Sequence, residues 1–404
     1  MAYFEDCYPK LIYARTGMKT QTIREFESLR GYMALWVVIG HSMLQFPDYL
    51  ANVPVVKYLL YPSIAVYVFM MLSGFVIFYL LDSKKEQYFV FLIRRALRLF
   101  PIYLCVLFVS ILIFEPTLNL LVTLFEKYPD TKHLINCLRI YRATEVYFIE
   151  NILSHIFLLQ GVIPETIIPE GQYAFVGQAW SLSLEWQFYI VAPICTLILY
   201  KKNEFAKLLM PILLMGAYFL LRDLNFAFIF GYKLVYFIIG GASYYLWKNL
   251  VSIGESGKIL NMSFLVTLLL MLKLLGLGLA DMIWIVVFFT ALCNYLDCQN
   301  GITRFVSFFM LNSIARFLGQ ISYSIYLNHT VVLYGLLILI QSMDMNLFNI
   351  GDSLFLVVLF ASSVVILTIV ISSITYRYIE KPFIDLGKRC FVASDQIAVA
   401  TERG

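Results

Sequence analysis

Nothing limits the folding of this chain more than its recurrent runs of about twenty apolar residues, the length that carries a helix across a bilayer. Ten such runs are read, at 29–47, 61–81, 98–115, 181–200, 206–222, 225–247, 260–279, 281–298, 320–341 and 353–376. Too little charge is left between them to coat a soluble domain: 61% of the 404 residues are hydrophobic and 14% are charged. The aromatic share of 17% suits helices that face lipid and carry interfacial belts. The fold expected is all-α, a polytopic membrane helical bundle of about ten transmembrane helices.

Basic residues orient it. With the N-terminus in the cytoplasm, 22 Lys and Arg fall on the cytoplasmic side. Six fall opposite, namely Lys57, Lys127, Lys132, Arg139, Arg142 and Arg222, and Lys233 and Lys273 lie within spans. That bias makes both termini cytoplasmic. One stretch resists a simple reading. "VYFIENILSHIFLLQGV" (146–162) is apolar but interrupted by Glu150, Asn151, Ser154 and His155, and a span there would send Lys201 and Lys202 outside. It is read as an interfacial or re-entrant helix within the longest external region, about 116–180. Residues 1–23 form a cytoplasmic tail without signal-peptide features, 24–384 the membrane domain, and 385–404 a second tail. The seven cysteines make no CxxC pair and Cys137 is alone outside, so neither an external disulfide nor a metal site is expected. A net charge of +4 gives no reason to expect a nucleic-acid partner.

Against that apolar background a few polar residues stand out. In "ESLRGYMALWVVIGHSMLQF" (27–46), Arg30 and His41 are eleven residues apart. On a helix they share a face, about 16 Å apart along the axis, which puts Arg30 at the cytoplasmic edge and His41 near mid-membrane. Ionisable groups at that depth face the protein interior and are functional by default. The bland alternative is a histidine that bonds a neighbouring helix. "QAWSLSLEWQFY" (178–189) carries Glu185 with Ser181 one turn away. "GQISYSIYLNHTVVL" (319–333) puts His329 at the level of His41, so the two imidazoles could meet, although Asn328 and Ser324 equally suggest ordinary interhelical bonds. His133 and His155 are read as structural. In "FLIRRALRLFPIY" (91–103), Arg94, Arg95 and Arg98 exceed what topology alone requires. Arginine favours bidentate phosphate binding, which points to a phosphorylated ligand arriving from the cytoplasm.

These residues resemble those of acyltransferase family 3, a family of integral membrane enzymes. The likeness runs from about Arg24 to Phe383 and rests on six elements in order: "ESLRGYMALWVVIGH", "MMLSGFVI" (70–77), "FLIRRALRLFPIY", "AWSLSLEWQFY", "LGQISYSIYLNH" and "YRYIEKPF" (376–383). Asn328 departs from the pattern, standing where an aromatic is expected before the histidine, which bears on the acceptor pocket and on the role of His329. The resemblance implies transfer of an acyl group, usually acetyl from cytoplasmic acetyl-CoA, to a sugar hydroxyl of a surface glycan or its lipid-linked precursor. It implies a bacterial inner membrane as the setting. Some relatives carry an external esterase-like relay domain. None follows in this sequence, so direct transfer is expected, unless a separate periplasmic partner relays the group.

On this view Arg30, Arg94, Arg95 and Arg98 bind the CoA phosphates. His41 acts as general base or carries the acyl group, since a neutral imidazole with an ordinary pKa near 6.5 suits deprotonation of a hydroxyl. Glu185 fixes an imidazole tautomer or binds acceptor hydroxyls. Ser73, Trp180, Ser181, Tyr323 and His329 are substrate-binding or structural, and Ser73 with Gly74 allows the second helix to pack closely or bend. A transporter or flippase for a polar lipid or sugar is the competing class; paired halves with broken helices would mark it, and the sequence has no such symmetry. A purely structural scaffold leaves His41 and Glu185 without a purpose.

Overall fold

The computed structural model describes residues 23–45, 54–84, 87–127, 129–200, 233–253, 278–343 and 354–390. Among them every regular element is helical. In order they are α1 (Arg24–Leu44), α2 (Pro54–Leu59), α3 (Ser63–Lys84), α4 (Tyr88–Leu112), α5 (Phe114–Lys127), α6 (Lys132–Val146), α7 (Phe148–Ile156) and α8 (Trp180–Tyr200). Then come α9 (Leu234–Ile253), α10 (Leu279–Tyr295), α11 (Gly301–Met310), α12 (Ser313–Gln320), α13 (Ser322–Ser342) and α14 (Leu354–Thr375), the last running into a π turn at Tyr376–Glu380. Short 3-10 turns at Gly171–Tyr173 and Gly177–Ala179 lead into α8.

Four described helices are long and apolar enough to cross a bilayer: Ser63–Ser83, Tyr88–Leu112, Ser322–Ser342 and Leu354–Cys390. They coincide with four of the ten runs read from the sequence. The expected span at 206–222 and nearly all of that at 260–279 lie outside the described residues. Several features differ from expectation. The third span was expected to begin at 98, but α4 begins at Tyr88, because "YFVFLI" is apolar enough to extend the helix backwards. Arg94, Arg95 and Arg98 therefore lie within α4, six to ten residues after its start. The region 116–180, expected to hold one helix, holds α5, α6 and α7. α7, with nine residues, is too short to span a bilayer.

Residues 299–319, read as a loop, form α11 and α12. Their starts are encoded by Asn300 and Asn312, whose side chains accept from the Thr303 and Ala315 amides at 2.9 and 2.8 Å. α12 lies against α1 so closely that a Cβ built on Gly319 would run into the Glu27 carbonyl oxygen. α3 and α9 meet in the same way, Gly74 against Phe237 and Gly240 against Met71. Small residues at such crossings let two backbones approach where no water is present to drive association. Phe26, Phe75, Trp247, Trp284 and Phe288 fill the space beside this crossing with edge-to-face and stacked rings.

The bundle has a basic end, where Arg24, Arg94, Lys248 and Arg316 lie, and an opposite end capped by α5–α7 and the loop 157–179. The cap is strapped to the bundle by buried polar bonds. Ser183 on α8 donates to the Leu158 carbonyl at 2.7 Å and Tyr103 on α4 donates to the His155 carbonyl at 3.0 Å, while the Gln160 amide closes the loop on itself by donating to the Ala179 carbonyl at 3.2 Å. Leu158 and Phe175 take positive φ, uncommon for bulky side chains, where the loop reverses.

Candidate functional site

Two cavities lie along the bundle axis. The inner one, about 60 Å³, is nearer the basic end and is lined among others by Arg30, Ser73, Arg98, Ser181, Glu185 and Tyr323. The outer one, about 250 Å³, lies beneath the cap and is lined among others by His41, Gln45, His133, Cys137, Trp180 and Thr330. Helical periodicity explains the division. On α1, Arg30 and His41 share a face three turns apart, so one serves each cavity. On α13, Ser322, Tyr323 and Tyr326 face the inner cavity, and Tyr326, Thr330, Leu333 and Tyr334 continue that stripe along the outer one.

At the outer cavity the two imidazoles meet. His41 Nδ1 and His329 Nε2 are 2.8 Å apart, with nearly parallel rings. His329 Nδ1 is 2.7 Å from the carbonyl oxygen of Tyr326, one turn earlier on α13. A carbonyl can only accept, so His329 Nδ1 carries the hydrogen. Its Nε2 is then a lone pair, and His41 Nδ1 must donate to it. His41 is left with Nε2 as a proton acceptor. His329 itself is buried, at 1% exposure, whereas His41 lines the cavity. Asn328, beside it, turns away and donates to Ser372 and Thr375 on α14 at 3.3 and 2.9 Å.

Glu185 does not touch either imidazole. Ser73 Oγ donates to its Oε1 at 2.9 Å, and Tyr189 Oη donates to the same oxygen. It shares the inner cavity with Arg30 and Arg98, so the tautomer-fixing position beside the imidazoles belongs to the Tyr326 carbonyl. Tyr323 Oη donates to the Leu99 carbonyl at 2.8 Å and pins α13 to α4 at the cavity floor. Arg94 and Arg95 do not line the inner cavity; Arg95 sits over the Phe91 ring at 5.7 Å, on the same helix. Trp180 stands at the outer cavity with the Lys233 ammonium 4.1 Å from its ring centroid.

Three residues of this arrangement escaped the sequence reading. Tyr326 is one of several tyrosines in "SYSIYLNH" and carries no ionisable signal at mid-helix. Gln178 precedes α8, and its amide donates to the Leu327 carbonyl at 2.9 Å and to Thr330 Oγ1 at 3.0 Å, partners about 150 residues away. Glu380 is turned inward by the π turn and accepts from Ser324 Oγ at 2.6 Å; such turns recur at functional sites, and a carboxylate in "YRYIEKPF" was the available hint. His133, read as structural, lines the outer cavity with its Nε2 3.5 Å from Cys137 Sγ and 3.4 Å from the Gln45 amide. His155, also read as structural, is buried in the cap, its Nε2 donating to the Gly171 carbonyl and its Nδ1 facing Tyr103 Oη, each at 3.0 Å. Among the described residues no cluster of three His, Cys, Asp or Glu side chains is arranged to hold a metal ion.

A family model described as an acyltransferase domain matches residues 23–377, from the first residue of the described bundle into the π turn. Comparison with curated proteins and with solved structures returns no match.

Proposed function

The chain belongs to acyltransferase family 3, and from that premise we propose that it moves an acyl group, acetyl in the first instance, from acyl-CoA to a hydroxyl of a cell-envelope glycan or its lipid-linked precursor. The donor enters at the basic end, which faces the cytoplasm of a bacterium with both termini on that side. Ten spans hold the site in the inner membrane. The acceptor enters beneath the cap.

The observation that carries this reading is the directed relay from His41 through His329 to the Tyr326 carbonyl. It leaves His41 Nε2 as the base. The acceptor hydroxyl gives its proton to that nitrogen as its oxygen bonds to the thioester carbonyl carbon. The carbon–sulfur bond then breaks, and the departing CoA sulfur takes the proton back. His41 Nδ1–H, held by His329, favours the transient imidazolium by facing it with a lone pair. A base so positioned is worth about 10²–10⁴-fold in rate. The same geometry argues for proton transfer over an acyl-histidine, because the nitrogen that would carry the acyl group is the one the proton needs.

Arg30 and Arg98 supply cations for the CoA phosphates at the inner cavity, with Arg94 and Arg95 beside them on α4. Glu185, fixed by Ser73 and Tyr189, positions that cavity wall. The outer cavity has aromatic faces in Trp180, Tyr173 and Tyr334 and amide groups in Gln45, Asn136 and Gln178, a lining suited to an uncharged polyhydroxyl ring.

Inside-out membrane vesicles given radiolabelled acetyl-CoA test the reading. Wild type is expected to label a glycan or glycolipid fraction, and His41→Ala at matched expression to lose about 10²–10⁴-fold of that label. Equal label in both would move the base away from His41. Label in neither would remove acetyl-CoA as donor and restore the transporter reading.

A further inference from the structure

The inner and outer cavities share two wall residues, Val66 and Tyr326. Val66 is an inert surface. Tyr326 is held by its hydroxyl. Its Oη is 2.7 Å from Ser181 Oγ and 2.9 Å from the Gln178 carbonyl oxygen, and Ser181 Oγ is also 3.1 Å from that carbonyl. The protons can be counted. Two hydroxyls meet one carbonyl, so one hydroxyl donates to the carbonyl and the other donates to the first. Each hydroxyl hydrogen is used, and the closure is complete. The ring between them packs edge-on against Phe69 and is buried to 6% exposure.

The side chain and the backbone of Tyr326 therefore do separate things. The backbone carbonyl fixes the proton order of the imidazoles in the outer cavity. Tyr326 also lines both that cavity and the one holding Arg30, Arg98 and Glu185, with its side chain held at Oη. A rotation of the ring would break two bonds at Oη and leave the carbonyl bond intact.

That division matters because a base beside a thioester does not discriminate between hydroxyls. Water admitted to the outer cavity would give its proton to His41 Nε2, its oxygen would bond to the thioester carbonyl carbon, and the carbon–sulfur bond would break. The products are a free carboxylic acid and the CoA thiol. Excluding water until the acceptor is seated is the remedy available to a site of this kind. We infer that Tyr326, latched by Ser181 and Gln178, is the residue that sets the preference for acceptor hydroxyl over water, by closing the donor cavity from the acceptor cavity. The inference rests on the acyl-transfer reading above.

The experiment measures two products at once. Membranes carrying the full-length protein receive radiolabelled acetyl-CoA; label in the glycan or glycolipid fraction and label released as free acetate are counted, with membranes lacking the protein subtracted. Tyr326→Phe keeps the ring and removes Oη. The ratio of acetate to glycan label should rise about tenfold, the change that corresponds to the loss of about one net hydrogen bond. Ser181→Ala should move the ratio in the same direction by a smaller factor, since Tyr326 can still donate to the Gln178 carbonyl. A purely structural role would lower both products together, so an unchanged ratio in both variants overturns the latch. Wild-type membranes that neither label glycan nor release acetate would overturn the acyl-transfer reading and the latch with it, an outcome distinct from an unchanged ratio with active wild type.

Discussion

At the scale of single residues, the site is a matter of which nitrogen holds which proton. On the proposed function His329 acts through His41, so its loss should be the milder one. His329→Ala is expected to reduce acylation about 10–100-fold, the cost that accompanies loss of a partner orienting a metal-bound histidine, less than His41→Ala in the same vesicles. Equal losses would make the two imidazoles a single unit. A different imidazole carries a pH signature. His155, in the cap, is pushed down from 6.5 to about 4 by burial, against the pull of the Gly171 carbonyl. Below 6.5 the unfolded chain takes up a proton that the folded cap refuses until about 4. Its contribution to stability is therefore complete above pH 6.5 and is lost as pH falls towards 4. Thermal unfolding of solubilised protein should show a midpoint that drops over that window, and His155→Gln should flatten the drop. His133, also lowered by burial, leaves a residual slope of the same sign. Arg30, His41, Glu185 and Arg98, which line the two cavities, stand out in the sequence because an ionisable group in an apolar run is conspicuous. Tyr326 does not, since it is marked only by a carbonyl and a hydroxyl whose partners, His329 excepted, sit on α8 or in the turn before it.

At the scale of helices, the sequence announced apolar length well and starting points poorly. α4 begins ten residues before its expected edge, because an apolar prefix and an arginine-rich middle are both compatible with one helix. α5 and α6 went unseen because amphipathic and polar helices resting on a bundle lack a spanning signal. The tightest crossing, α3 against α9, was only half legible: Gly74 was noticed, and its counterpart Gly240 needs the fold to reveal it. A methyl group at either position collides with backbone on the opposing helix. Gly240→Ala should therefore destabilise the solubilised protein by about 1–3 kcal/mol, the typical range for overpacking, read as a lowered unfolding midpoint. Because Phe237 of α9 lines the inner cavity, the variant that survives should also lose acyl-CoA affinity.

At the scale of the whole molecule, the proposed function has donor and acceptor meet from opposite ends of one bundle. Sealed vesicles of defined orientation give this a direct reading: acetyl-CoA supplied to the face carrying Arg98 should support acylation, and acetyl-CoA supplied only to the capped face should not. Activity from the capped face would overturn the donor route through the inner cavity. A quieter consequence lies in the composition of the two chambers. Among the described residues, Arg30, Arg98 and Glu185 give the inner wall its charge, while no Asp, Glu, Lys or Arg lines the outer one. Dissolved ions weaken attraction between opposite charges and leave stacking and neutral hydrogen bonds nearly untouched. On the proposed function, raising ionic strength should thus increase KM for acetyl-CoA and leave KM for the acceptor level, so that salt starves one chamber and spares the other.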